Sequence, residues 1–163
     1  MNRKLKQYIK DNLKQERNFF KVKRAMIFEE DLMCGQSFCS TINNYIDDNK
    51  NENKFQTLLF KYIDDRNLKD SDVYNKVHLD RRLFSKIRND IDYHPSKETV
   101  ILLGISLELN EDEIEELLES ASYSLPKNNY YDLIIRFCFK EGIYDLKTIN
   151  DFLEEYKQKM FSY

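Results

Sequence analysis

Residues 80–88 form a short, cation-rich stretch near the middle of the chain. Arg81 and Arg82 carry guanidinium groups that can donate paired hydrogen bonds to guanine O6 and N7. Ser85 and Lys86 follow four residues later, so a helix would place all four side chains on one side. The pattern predicts a helix whose exposed side reads base edges in duplex DNA.

A second set of residues has the chemistry to hold the DNA backbone. Long cations and hydroxyl groups commonly contact phosphates and fix the register of a protein on a duplex. The predicted phosphate-contacting residues are Lys76, Arg88, Ser96 and Lys97. The basic stretch at residues 3–24 is expected to add contacts from outside this core.

Other chemistries have weaker support in the sequence. His78, His94, Cys34 and Cys39 lack the short paired spacing of a structural zinc site. Cys138 lies between two phenylalanines and is interpreted as a core thiol. With no nucleophile motif, acid–base pair or glycine-rich phosphate loop, we expect no catalytic residues, no metal and no cofactor, and therefore no enzyme.

The elements that would position the basic stretch are helices. Asp80 is suited to cap a helix in which Leu83, Phe84 and Ile87 face inward. A short helix capped by Asp70 is expected before it. Residues 77–79 form the connecting turn, of a length typical of a helix-turn-helix.

Further helices are expected on both sides of this unit. The preceding one runs from about Phe55 and ends near Asn67. Ser96 is expected to cap an almost wholly apolar helix reaching about Glu108, in which Gly104 permits a close crossing. Asn110 caps the next, and its row of carboxylates is interpreted as a solvated face. Two more follow, at about 129–141 and 146–159, with Gly142 as a left-handed residue between them.

Composition supports an all-α fold. Only three Gly and two Pro occur in 163 residues, which is too few for the turns of a strand-rich domain. No apolar run is long enough to span a bilayer, and no apolar leader segment is evident. We therefore expect a cytoplasmic protein without a membrane partner.

The first 53 residues are predicted to be a basic helical extension that ends in a polar linker. Residues 1–24 hold nine Lys or Arg against two Asp or Glu, and Leu5, Tyr8, Ile9 and Leu13 recur at helical spacing. The extension is interpreted as an arm on DNA, as a dimerisation or partner helix, or as a helix at a membrane surface. A homodimer is attractive because one helix-turn-helix reads few base pairs.

Residues 55–121 resemble the DNA-binding domain of phage repressors and Xre-type regulators. In that family a recognition helix is followed by Pro-Ser-x-x-Thr at the start of the fourth helix, and Pro95, Ser96 and Thr99 match this motif. The resemblance implies a lambda-repressor-like five-helix bundle. The whole domain is predicted to span residues 54–163, with the C-terminal helical pair at 128–159.

A second resemblance covers residues 55–153. The runs at 80–88, 93–97, 131–135 and 142–145 are similar to a helical domain of Firmicutes, which occurs alone or behind macro domains. It implies the fold and assigns no activity. Two positions depart from the repressor motif: His78 stands where Gly is common, and Arg88 where Glu is common. His78 is expected to need a positive φ or a reshaped turn.

These observations predict a sequence-specific DNA-binding protein that acts as a transcriptional regulator. The alternative is a protein-interaction module or inhibitor built on the same scaffold, for example an anti-CRISPR that carries a repressor domain. DNA binding predicts one continuous positive patch that includes the N-terminal lysines. The alternative predicts a recognition helix covered by residues 1–46 or by a second subunit.

Overall fold

The computed structural model describes residues 4–10, 54–90 and 92–162, and this part of the chain is all-helical without strands. The scarcity of Gly and Pro therefore predicted the fold class correctly. The helices are α1 (residues 4–10), α2 (Lys54–Asp65), α3 (Asp70–Lys76), α4 (Arg81–Asn89), α5 (Lys97–Ser106), α6 (Glu111–Ser120), α7 (Tyr130–Lys140) and α8 (Leu146–Glu155).

Side-chain caps set most of the helix starts. Asp80, Ser96 and Asn110 each accept a hydrogen bond from a backbone N–H in the first turn of the helix that follows, which confirms the predicted caps. The prediction that Asp70 caps α3 is wrong. The chain turns helical one residue earlier than expected, so that Lys69 is the cap residue and Asp70 is the first residue inside α3.

Helix ends are less well predicted than helix starts. α5 ends at Ser106 because Glu108 adopts a left-handed φ of 53°, two residues before the expected end. α8 ends at Glu155 and not near Lys159, again because Lys157 is left-handed. Gly142 has a φ of 67° after α7, as predicted.

The apolar helix α5 lies at the centre of the core. Every residue from Thr99 to Ser106 is buried, and α3 and α6 pack against it. Gly104 lies so close to Ile114 of α6 that a Cβ atom would collide with the isoleucine side chain. The predicted close crossing at Gly104 is confirmed.

The C-terminal pair, α7 and α8, continues the same core. α7 packs on α6 and on α8. After α8, the backbone of Phe161 forms two hydrogen bonds with the side-chain amide of Asn150. Cys138 is buried in α7, and this burial raises the pKa of its thiol to about 12. The cysteine is a core thiol, as its neighbours in the sequence indicated.

α1 packs on α7. Leu5 and Ile9 are buried, and the ring of Tyr8 lies 5.5 Å from that of Phe137 in α7. Burial, together with the nearby Glu111 carboxylate, raises the pKa of Tyr8 to about 12. The amphipathic N-terminal helix is confirmed at residues 4–10. Leu13, the rest of the basic stretch and the polar linker lie outside the described residues.

Candidate nucleic-acid interface

The exposed side of α4 carries the four residues predicted to read DNA. Arg81, Arg82, Ser85 and Lys86 are all exposed, while Phe84 and Ile87, in the same helix, are buried. We call these four residues the basic face. The burial pattern fixes the rotation of α4 about its own axis, so the basic face points away from the core.

The start of α4 is held in place by its cap. One carboxylate oxygen of Asp80 accepts hydrogen bonds from the backbone N–H groups of Arg82 at 2.6 Å and Leu83 at 3.4 Å. A cap of this kind satisfies donors that would otherwise be unpaired at a helix N-terminus. The backbone that carries Arg81 and Arg82 is therefore ordered before any ligand arrives.

A tight turn joins α3 to α4. His78 adopts a φ of 53°, and the backbone N–H of Leu79 donates to the carbonyl of Tyr74 at 2.8 Å. This arrangement is the Schellman motif that ends many helices with one left-handed residue. It confirms the expectation that His78 takes a positive φ at a position where the repressor motif often has glycine.

A groove of about 390 Å³ lies between α3 and α4. Arg81 and Ser85 of the basic face reach its wall, and Asp70 contributes a carboxylate. We call it the α3–α4 groove. Its lining residues are Lys69, Asp70, Ser71, Tyr74, Arg81, Phe84, Ser85 and Arg88.

Two cations at the end of α4 lie over aromatic rings. The guanidinium of Arg88 is 4.2 Å from the centroid of Phe60, and the ammonium of Lys86 is 4.8 Å from that of Tyr93. Contacts of this kind favour one orientation of a long side chain. Lys86 is exposed and Arg88 is nearly half exposed, so both charges remain within reach of a ligand.

The three cations predicted to contact phosphates each bind a carboxylate of the same chain. Arg88 pairs with Asp70 at 2.6 Å, Lys76 with Glu108 at 2.5 Å, and Lys97 with Asp132 at 2.5 Å. Ser96, the fourth predicted residue, caps α5 through the backbone N–H of Thr99. Each of these three cations is therefore paired with a carboxylate of the protein itself.

The Lys97 pair differs from the other two because its acid is buried. The side chain of Asp132 is only 5% exposed and also accepts a hydrogen bond from the amide of Asn129 at 2.6 Å. Lys97 links the start of α5 to the start of α7, and removal of the lysine would leave a buried, uncompensated carboxylate. The charge of Lys97 therefore stabilises the packing of α5 on α7, and its side chain is also partly exposed at the surface.

The acidic row of α6 is not simply a solvated face, which corrects the expectation from sequence. The guanidinium of Arg66 donates to both carboxylate oxygens of Glu113, and the hydroxyl of Tyr62 donates to Glu116 at 2.7 Å. Burial acts to raise the pKa of Glu113, but the bonds from Arg66 and from the Asn110 N–H hold it below its usual value.

Arg136 of α7 engages two more of these carboxylates. Its guanidinium binds Glu111 at 3.0 Å and also pairs with Glu115, while a third contact reaches the Leu125 carbonyl at 3.0 Å. Burial acts to lower the pKa of Arg136, but its two acidic partners raise it. Four carboxylates of the acidic row, those of Glu111, Glu113, Glu115 and Glu116, therefore join α6 to α2 and α7.

Sequence reasoning missed Lys69, Asp70 and Asp132 as parts of this region. Asp70 was expected only as a cap, and no local pattern joins it to Arg88, which lies 18 positions away. Across residues 4–10, 54–90 and 92–162, no three His, Cys, Asp or Glu residues cluster as a metal site would require.

The chain matches no protein-family model, no curated protein and no solved structure. In the described residues, no helix has the length and apolar character needed to cross a membrane.

Proposed function

We propose that this protein binds duplex DNA with sequence preference and acts as a transcriptional regulator. The observation that carries the proposal is the basic face of α4, where two adjacent arginines follow a capped helix start and remain exposed. Among the ion pairs of the described residues, none engages Arg81 or Arg82. These two guanidinium groups, which no described carboxylate binds, can therefore donate to an external acceptor.

The dimensions of α4 suit the major groove. A helix with its side chains is about 10–12 Å across, and the major groove of B-form DNA is about 12 Å wide. With the N-terminal end of α4 entering the groove, Arg81 and Arg82 approach base edges, and Ser85 and Lys86 lie one turn behind. Lys76 at the end of α3, Arg88 in the last turn of α4, and Ser96 and Lys97 at the start of α5 are proposed to contact phosphates.

We further propose that α2–α6 form the five-helix arrangement of phage repressors. The order of the helices, the short turn at His78 and the Ser96 cap at the start of α5 support this assignment. α7 and α8 are then an addition that the repressor domain lacks. A homodimer with two copies of α4 follows from the proposal, since a single helix-turn-helix reads few base pairs.

The second candidate is a protein-interaction module or inhibitor on the same scaffold. The carboxylates of Asp70, Glu108 and Asp132 support it, because they neutralise three of the cations that a phosphate backbone would attract. In that case the basic face receives an acidic protein surface. The two candidates differ in whether nucleic acid is bound at all.

Binding of the full chain to a labelled random duplex pool at about 50 and 200 mM salt tests the first candidate. Each cation that neutralises a phosphate changes the slope of log affinity against log salt by about −0.9. If the proposed phosphate contacts of Lys76 and Lys97 form, the slope is about −1.8, and a full contribution from Arg88 brings it to about −2.7. Affinity then falls about 12- to 40-fold between the two salt concentrations.

Two results would contradict this proposal. Absence of binding at about 50 mM salt leaves the protein-interaction candidate, which pull-down experiments then address. Binding with a slope near zero shows that the contacts are not made by cations on phosphates.

A further inference from the structure

The α3–α4 groove contains one feature that a simple phosphate-binding surface would not have. Among its lining residues are three cations, Lys69, Arg81 and Arg88, and one carboxylate, Asp70. The carboxylate lies at the first position of α3 and points at Arg88, so their separation of 2.6 Å spans the groove from one helix to the other.

Arg88 makes two contacts within the chain. Nη2 donates to Oδ1 of Asp70, and Cζ of the guanidinium lies 4.2 Å from the centroid of the Phe60 ring. The ring limits the directions that the guanidinium can take, and within this range Asp70 accepts the hydrogen bond from Nη2. Side-chain exposures of 45% for Arg88 and 38% for Asp70 keep this pair within reach of solvent and of a ligand.

We infer that Asp70 is an internal competitor that occupies Arg88 in the DNA-free protein and must release it before Arg88 binds a phosphate. The inference rests on the proposed function. The contact between Asp70 and Arg88 would then regulate the affinity for DNA, although the Asp70 carboxylate itself does not contact the DNA bases.

The competition follows from the chemistry of the two acceptors. Carboxylate and phosphate oxygens both accept hydrogen bonds from a guanidinium, and an anion already bound at one of its nitrogens repels a second anion that approaches the group. Exchange of one for the other keeps Arg88 paired throughout, so little net attraction is gained at this position. Loss of the Asp70 charge converts the exchange into a net gain.

Asp70→Asn is expected to raise the affinity for a random duplex about 5- to 10-fold at about 50 mM salt, and to steepen the salt slope by up to about 0.9. Asparagine keeps the size of the side chain and removes only its charge. Asp72→Asn is the matched control. It removes an equal charge from the same first turn of α3, but Asp72 contacts Lys69 and Ser71 and does not contact Arg88.

A double-mutant cycle with Arg88→Ala separates competition from a general change in charge. If Asp70 acts through Arg88, the gain from Asp70→Asn falls below about 2-fold in the Arg88→Ala background, because the partner is absent. An equal gain in both backgrounds, or an equal gain from Asp72→Asn, overturns the inference while leaving DNA binding intact. Failure of all the variants and the wild type to bind DNA overturns the proposed function and this inference together.

Discussion

The double variant Arg81→Ala/Arg82→Ala is expected to lose about 100-fold or more of its affinity for the duplex sequence that the wild type selects. Each bidentate contact between an arginine and guanine contributes about 1–3 kcal/mol of discrimination. Two such contacts of about 1.5 kcal/mol each give about 3 kcal/mol, which corresponds to about two powers of ten in affinity. Fluorescence anisotropy with the selected duplex at fixed salt measures the change.

A control with the same change in charge is available on the same chain. Lys61 in α2 and Lys127 before α7 are both exposed, and neither belongs to α3 or α4. Lys61→Ala/Lys127→Ala is expected to weaken binding by less than about 5-fold, mainly through net charge. If the two double variants lose affinity equally, α4 has no special role and the attraction is nonspecific.

Arg136→Ala is expected to lower the free energy of unfolding by about 3 kcal/mol. The Arg136 side chain is only 12% exposed, and its loss leaves Glu111, Glu115 and the Leu125 carbonyl without their shared donor. Removal of one member of a buried ion pair commonly costs about 3–5 kcal/mol, and the partial exposure of both glutamates favours the lower end. Urea denaturation of the full chain, followed by far-ultraviolet circular dichroism, gives the value.

A triple variant tests whether this loss comes from the unpaired acids. Arg136→Met/Glu111→Gln/Glu115→Gln removes all three charges and retains most of the volume, so it is expected to be more stable than Arg136→Ala. A loss below about 0.5 kcal/mol for Arg136→Ala would show that the network does not fasten α6 to α7.

Local signals explain why much of the fold was predictable. Asp80, Ser96 and Asn110 were assigned as caps because a capping bond joins a side chain to a backbone group only two or three residues away. At His78 the resemblance to the repressor motif left two expectations, a positive φ or a reshaped turn, and the φ of 53° fulfils the first. Burial of Phe84 and Ile87 followed from helical spacing, and this placed the basic face on the exposed side.

Contacts between distant residues were not predictable in this way. The ion pairs of Arg136 with Glu111, Lys97 with Asp132, and Arg66 with Glu113 join positions 25, 35 and 47 residues apart. The packing of the helices decides whether a charged side chain contacts an oppositely charged residue or water. A row of glutamates has the same sequence spacing whether its side chains are paired or solvated. For this reason the acidic row of α6 was predicted as a solvated surface and proved to be a framework.

The same reasoning explains the one misplaced cap. Aspartate is a preferred cap residue, but it is also favoured inside the first turn, where its charge faces the positive end of the helix. Sequence type alone does not separate these two positions. Asp70 takes the second, and its carboxylate is thereby directed to Arg88 instead of to the backbone.

Nuclear magnetic resonance titration of the full chain with a duplex shows which residues contact DNA. Backbone amide signals would be followed as the duplex that the protein selects is added at about 50 mM salt. If α4 reads DNA, we expect the largest shifts at residues 80–88, smaller shifts near Lys76 and Ser96, and no change in α8. Shifts concentrated on α7 and α8, or no shifts with any duplex, would contradict the claim that α4 is a DNA-reading helix.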